Sequence, residues 1–306
     1  MQKVLLIGNR GYIGSALQSV LSEYDLTCID SCWYMEPDKY TTELDYKLLS
    51  RDTLKDFDVV ILMAGHSSVK MCEGNIQASY SNNVTNFIDL INKLAPNTKF
   101  IYASSSSVYG KCLITADETY TEFTPYNNYD VTKHIIDLII PQTNIEYYGL
   151  RFGTVNGAAP IVRTDVMINA MYKHSQEANE IMLYSKEVMR PILGINDLTR
   201  AIKTIINTKQ DHRGIYNLAS FNETAESIAL KVSKATSKPI KILKTLPNQI
   251  IKNYKLQSTE YNFKIKTDKF KETYNFEFKD TVESIVNTLK STSFISTNRT
   301  EFKPYE

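Results

Sequence analysis

The stretch Leu5-Leu6-Ile7-Gly8-Asn9-Arg10-Gly11-Tyr12-Ile13-Gly14-Ser15-Ala16-Leu17, LLIGNRGYIGSAL, sets three glycines between an apolar run and a helix-like segment. Each glycine has a task available to it. Gly8 permits a tight turn out of a strand, Gly11 clears a side chain where backbone approaches a pyrophosphate, and Gly14 lets a helix sit close on a sheet. The helix start that follows presents free N–H groups and the positive end of its dipole. The spacing is Gly-x-x-Gly-x-x-Gly, and three glycines in seven residues also suit an ordinary turn. Context favours a dinucleotide, because a strand precedes the motif and a helix follows it. Asp30 closes the next apolar run, CID, about 20 residues on, where an acid binds adenosine ribose hydroxyls and repels a 2′-phosphate. It favours NAD, although Asp is also a common strand-end turn residue. Arg10, inside the loop, suits a phosphate and keeps NADP open.

Outward from this loop the first half alternates apolar runs with helical patterns. KVLLIG (3–8), LTCID (26–30), VVILMAG (59–65), KFIYASS (99–105) and IEYYGLR (145–151) are near-continuously apolar, as strands buried on both faces require. Helical patterns at about 12–23, 76–94 and 128–140 separate them. This predicts an α/β fold, a doubly wound parallel sheet of Rossmann type. A helix near 196–207 and a strand at 215–220 return to the same sheet. The expected division is a dinucleotide domain, 1–157 plus about 191–220, and a smaller C-terminal α/β substrate lobe, about 158–190 plus 221–306. The polar tail from Ser291 onward reads as loosely held.

Bulk properties exclude several classes. Hydrophobic content of 42% and charged content of 23% are ordinary for a soluble globular chain of 306 residues. A net charge of +1 without a basic cluster argues against nucleic acid. No apolar run approaches the roughly 20 residues of a membrane span. The N-terminus shows no export pattern, so a cytoplasmic protein is expected, its four cysteines (Cys28, Cys32, Cys72, Cys112) reduced and without metal-type spacing. The sequons at Asn83, Asn222 and Asn298 are then chance matches.

NNYDVTKHIIDLII places Tyr129 and Lys133 four residues apart on a helix, sharing a face. A free phenol, with a pKa near 10, is a poor base at neutral pH. An ammonium beside it stabilises the tyrosinate, so Tyr-x-x-x-Lys makes a general acid/base. With 20 tyrosines, chance pairs are expected. The pair gains weight from the glycine loop before it and from the serine-ended run ASSSSVYG (103–110).

Taken in order, GNRGYIG, CID, MAGHSSV, SNNV, SSSSVYG, YDVTK, LRFGTVNG, MRPILGINDL, YNLAS and IKTDKFKETYNFEF resemble the extended short-chain dehydrogenase/reductases, the NAD-dependent nucleotide-sugar epimerases and dehydratases. The resemblance runs along nearly the whole chain. It implies that Tyr129 takes a proton from a sugar hydroxyl, Lys133 holds the nicotinamide ribose and lowers the tyrosine pKa, and Ser105 binds the reacting oxygen. It places Gly8, Arg10, Gly11, Tyr12, Ile13 and Gly14 around the pyrophosphate and Asp30 at the ribose. Asp45 and Tyr46 fall beside the adenine, and Met63, Ala64 and Gly65 under the adenosine. Asn82, Ala103, Ser104, Phe152 and Val155 also contact the cofactor. Ser106, Thr154 and Asn169 fall at the sugar nucleotide, with Arg163 and Tyr184 nearby. Arg190 grips the diphosphate, a bidentate task that suits Arg, although a surface ion pair is its plainer use. Homodimerisation through the helices at 76–94 and 128–140 is also implied.

The chain departs from that pattern at Gly194, where the family often has His, at Asn156, where it often has Tyr, and at His66. His66 reads either as a further acid/base or as a loop histidine, and His134, His174 and His212 as surface residues. The 4,6-dehydratases carry Asp-Glu before the Val-Tyr-Gly, where this chain has Ser106 and Ser107. The decarboxylating branch carries a Glu there, and the fucose-synthase branch a Cys. What remains needs Ser, Tyr and Lys alone: a 4-epimerase, or a 4-ketoreductase drawing on NADPH. Asp30 favours the epimerase. A redox-silent dinucleotide sensor is a third reading, against which stands the intact Ser105, Tyr129 and Lys133 set.

Overall fold

The computed structural model describes residues 1–112, 114–183, 185–242 and 262–297. Tyr184, Asn298 and the tail beyond residue 297 lie outside the described residues. Seven parallel strands form the main sheet: β1 (Lys3–Ile7), β2 (Asp25–Asp30), β3 (Thr41–Glu43), β4 (Val59–Leu62), β5 (Lys99–Ser105), β6 (Glu146–Phe152) and β7 (Gly214–Leu218). Their order is β7-β6-β5-β4-β1-β2-β3. The chain therefore winds one way from β1 to β3, then crosses back to β4 and proceeds the other way. The switch between β1 and β4 opens a crevice at the carboxyl ends of the strands, where such sheets bind ligands.

Burial explains why these runs are strands. In β1 and β4 every residue from Val4 to Ile7 and from Val59 to Leu62 is buried. Leu5, Ile7, Val60, Leu62, Phe100 and Tyr102 pack on one side against Phe87, Leu90, Ile91 and Ile136. Val4, Leu6, Ile61 and Ile101 face the opposite side with Leu17, Leu198 and Ile202. Side chains alternate across a strand, so a run coated by helices on both faces must be apolar throughout.

Helices α1 (Tyr12–Val20), α2 (Asn128–Ile139), α3 (Met167–Glu177), α4 (Ile195–Asn207), α5 (Ala225–Thr236) and α6 (Val282–Ser291) cover the sheet or lie in the C-terminal part. The long helix expected at 76–94 is two α-helical pieces, Ile76–Tyr80 and Asn86–Lys93, joined through a π-helical turn over Ser81–Thr85. The strand Met189–Gly194 pairs antiparallel with Phe221–Thr224 and parallel with Thr154–Asn156, in a small second sheet. The tail corrects one expectation: Ile295–Thr297 forms a parallel strand against Ile161–Arg163 rather than hanging free. Among the described residues no helix is long and apolar enough to cross a membrane.

Candidate active site

One cavity of about 890 Å³ opens at the carboxyl end of the sheet. Its floor is the glycine loop. Gly8 has φ +99°, and a Cβ there would stand 2.5 Å from the Ala64 nitrogen. At Gly14 a Cβ would lie 1.9 Å from the Gly8 carbonyl oxygen, so the helix can reach the strand only with glycine there. Gly11 caps α1 and offers no side-chain acceptor to its first turn. A Cβ on Gly11 would meet nothing nearer than 3.4 Å, so bare backbone faces the cavity. Free N–H groups, a dipole end and a cradle closed to side chains fit a dinucleotide pyrophosphate. Tyr12 and Ile13 line the same wall, with Met63, Ala64, Gly65, Ala103 and Ser104 opposite and Phe152 and Val155 farther along.

Five expected cofactor residues lie elsewhere. Asp30 holds the loop: its two carboxylate oxygens accept from the Arg10 and Cys32 backbone N–H groups, each at 2.8 Å. The Arg10 guanidinium turns aside to Asp38 at 3.0 Å and the Glu36 carbonyl at 2.9 Å, so it does not line the cavity as expected of a phosphate ligand. Asp45 caps the 3-10 turn Tyr46–Leu48 and pairs with Lys47. Tyr46 is buried, its hydroxyl donating to the Asn82 carbonyl, and with Asn82 it borders a small void behind Ala103 and Lys133.

The catalytic candidates converge. Ser105 ends β5, Tyr129 and Lys133 project from α2, and all three line the cavity. Asn127 caps α2 by accepting from the Asp130 N–H at 2.9 Å, which fixes the helix start beside the strand end. The Ser105 hydroxyl meets that of Ser107 at 2.8 Å and interacts with the Tyr129 phenol. Burial pushes that phenol up to about 12, against the pull of Ser105 and of the Arg163 guanidinium. The Lys133 ammonium donates to the Ala103 carbonyl at 2.8 Å and lies 6.0 Å from the centre of the tyrosine ring. Burial lowers its own pKa to about 8.

A buried network locks this geometry. Asp137, on the same helix, accepts from the Tyr102 hydroxyl at 2.9 Å, the Ser104 hydroxyl at 2.9 Å and Arg151 Nε at 2.7 Å. Arg151 also donates to the Tyr109 hydroxyl at 2.9 Å, which in turn reaches the Asn217 side chain. The helix bearing Tyr129 and Lys133 is thus tied to three adjacent strands, directly under Ser105. Sequence reading passed over Asp137 and Arg151. The available signal was that Asp137 follows Lys133 by four residues and Tyr129 by eight, so all three share one face.

Toward the substrate end, Ser106, Thr154, Arg163 and Arg190 line the cavity. Arg190 is buried, donates to the Met189 carbonyl at 2.9 Å and lies over the Phe263 ring. Asn169 lies outside the cavity lining, its amide accepting from the Gly157 N–H and donating to the Arg163 carbonyl, each at 2.9 Å. His174 also departs from expectation, because it lines the cavity rather than the surface. His134 packs its ring on Phe123 at 4.4 Å. His66 fits the loop-histidine reading: it is 1% exposed, burial lowers its pKa to about 4, and Asn83 holds its backbone from both sides. Gly194 has no room for the histidine common in the family, since a Cβ would stand 2.0 Å from Asp280.

The model of the NAD dependent epimerase/dehydratase family matches residues 4–219, and the chain belongs to that family. A UDP-glucose 4-epimerase of Mycoplasma genitalium is 25% identical over 281 residues, covering 78% of this chain and 83% of that protein. Among solved structures, a UDP-N-acetylglucosamine 4-epimerase from Methanobrevibacter ruminantium superposes with a TM-score of 0.80 at 18% identity, covering 95% and 98% of the two chains. A UDP-glucuronic acid 4-epimerase from Bacillus cereus gives 0.77 at 22%, covering 94% and 97%. These last two likenesses are of fold.

Proposed function

We propose that this chain is an NAD-dependent nucleotide-sugar 4-epimerase. The observation that carries the reading is the meeting of Ser105, Tyr129 and Lys133 with the glycine loop in one cavity. Ser106 and Ser107 stand where dehydratases carry acids, which favours a reaction needing only hydroxyl chemistry. The relatives named as UDP-sugar 4-epimerases support a UDP-sugar as substrate. Arg190 would hold the diphosphate, bidentate recognition being what a guanidinium does well, and Thr154 and Ser106 would contact the sugar. Ser105 orients the C4 hydroxyl and Tyr129 exchanges its proton. Lys133 holds the nicotinamide ribose. NAD held by the glycine loop would supply a reversible hydride acceptor beside the sugar, and the cavity would let the oxidised sugar present either face to it. Pairing of two copies through the helices at 76–94 and 128–140 is part of the proposal, supported by the exposed Ile76 and Leu138.

The test is direct. Purified protein should show NAD absorbance, interconvert a UDP-hexose with its 4-epimer, and gain thermal stability with UDP. Tyr129→Phe should abolish turnover while retaining NAD. Retained turnover, or NADPH oxidation on a 4-keto-sugar without epimerisation, would overturn the reading.

A further inference from the structure

Tyr129 needs somewhere to send its proton. Its phenol is held neutral by burial, and the Lys133 ammonium is engaged with the Ala103 carbonyl. The next residue, Asp130, is 1% exposed and borders the cavity. One of its oxygens has a structural job: Oδ2 accepts from the Asn127 side chain at 2.7 Å and the Tyr126 N–H at 3.3 Å, closing the helix cap. A capping role accounts for that oxygen only. Oδ1 is buried and has no hydrogen-bond partner among the described residues, while the Ser107 hydroxyl favours the charged carboxylate. Ser107 in turn meets Ser105 at 2.8 Å, and Ser105 lines the cavity with Tyr129 and favours its charged form. Four oxygen-bearing side chains, Tyr129, Ser105, Ser107 and the buried Asp130, therefore gather at one end of the cavity, with Ser105 and Ser107 joined directly.

Resting on the epimerase reading, we propose that Asp130 is the terminal proton acceptor of a hydroxyl chain, Tyr129–Ser105–Ser107–Asp130. The sugar O–H proton moves to the Tyr129 oxygen as the Tyr129 proton moves to Ser105. The Ser105 proton moves to Ser107, and the Ser107 proton to the Asp130 carboxylate. The hydride leaves C4 for the nicotinamide ring of NAD. Each O–H bond broken is matched by one formed, and the alcohol becomes a ketone as Asp130 becomes a carboxylic acid. Hydride return reverses every transfer. Asp130 acts through Ser107 and Ser105, so it is a positioning and relay residue rather than one that touches the sugar.

Its charge environment is mixed. Tyr129, Lys133 and His134 share its helix, and Ser107 faces it from the turn after β5. Glu73 and Cys72 lie on the packed helix Val69–Gly74, with Lys70 one turn before, and Arg163 reaches the Tyr129 phenol. Burial, reinforced by Glu73, holds the carboxyl up at about 6 against the pull of Ser107.

Two readouts on the full chain decide the matter. In the first, kcat is followed against pH with UDP-glucose. Wild type should lose activity as pH falls through about 6. Asp130→Asn, which can keep the cap, should lose that limb and fall about tenfold or more in kcat at pH 8 with KM little changed. Ser107→Ala should do the same, and Asp130→Glu should recover part of the limb. In the second, the carboxyl carbons of labelled aspartates are titrated by NMR, with Asp130→Asn identifying the signal. Asp130 should titrate well above an ordinary carboxylate and move further up in Ser107→Ala. The limb persisting in Asp130→Asn at wild-type kcat, or an ordinary titration indifferent to Ser107→Ala, overturns the relay. Wild type inert on UDP-glucose counts against the epimerase reading, and the NMR arm still decides the relay.

Discussion

Replacing Asp137 by alanine removes the acceptor for three buried donors at once. Tyr102 is fully buried and Arg151 is 5% exposed, so neither finds water in exchange. An orphaned buried charge costs about 3–5 kcal/mol. The Arg151 guanidinium retains the Tyr109 hydroxyl at 2.9 Å and the faces of Tyr109 and Phe123 at 5.0 and 5.1 Å. That partial compensation places the expected loss near the low end, about 3 kcal/mol. Replacing both partners, Asp137→Leu with Arg151→Met, removes the charge with its counter-charge and should cost clearly less than the single change. Urea unfolding with a constant m-value reads both numbers. The single variant should also lose turnover, because α2 is no longer anchored to Ser104 beside Ser105. A single-variant loss under about 1 kcal/mol, or a double variant no better than the single, would refute the claim that this ion pair anchors the helix.

Gly14→Ala should abolish NAD binding and lower the melting temperature, since its methyl would stand 1.9 Å from the Gly8 carbonyl oxygen; a folded variant with wild-type NAD affinity contradicts the close-packed loop. Arg190→Ala should raise KM for a UDP-sugar about tenfold or more while sparing NAD affinity, read by steady-state kinetics and by dinucleotide titration. Asp130, with its folded pKa near 6 against 3.8 unfolded, binds a proton more tightly when folded. Its contribution is complete below pH 3.8 and lost as pH rises through 6, so Asp130→Asn should gain stability relative to wild type across that window by up to about 3 kcal/mol. A pH-independent difference between the two midpoints would contradict the raised pKa.

Runs that are apolar because helices coat both their faces were legible as strands, with limits that moved by one to three residues, as where 59–65 is the strand Val59–Leu62 and 145–151 is Glu146–Phe152. KFIYASS is strand β5 at both of its limits, since the apolar run gives way to serines where the strand passes into the turn Ser106–Tyr109. The edge strand Thr41–Glu43 was not, because its residues are polar and only one neighbour, β2, holds it. The helix expected across 76–94 reads as one amphipathic stretch, yet Asn82 and Asn83 sit in a π turn. There Asn83 grips both the His66 N–H and carbonyl, a tertiary contact that periodicity cannot carry. Spacing on a helix located Tyr129 and Lys133, because face-sharing is a local property. It could not place Asn169, whose side chain is claimed by Gly157 and Arg163 from a different loop. Nor could it show that Arg10 would be drawn to Asp38, 28 residues away.

The serines of ASSSSVYG bear on mechanism in two ways that the sequence separates and the structure joins. In sequence, Ser106 and Ser107 count as missing acids, and their absence narrows the chemistry to what a phenol and a hydroxyl can do. In space, Ser107 is not a gap, because its hydroxyl meets Ser105 at 2.8 Å and shares the cavity wall with Asp130, whose charged form it favours. A dehydratase-type acid beside the strand would reach the sugar itself. An acid one hydroxyl farther back reaches only the proton of the reacting oxygen. In the proposed relay the same two serines separate two kinds of acid catalysis by distance, leaving C5 of the sugar untouched while giving the C4 hydroxyl proton a place to go. An enzyme built this way should exchange the C4 hydroxyl proton without washing solvent deuterium into C5. Incorporation at C5 during turnover in heavy water would place Asp130 against the sugar and require a different account of the site.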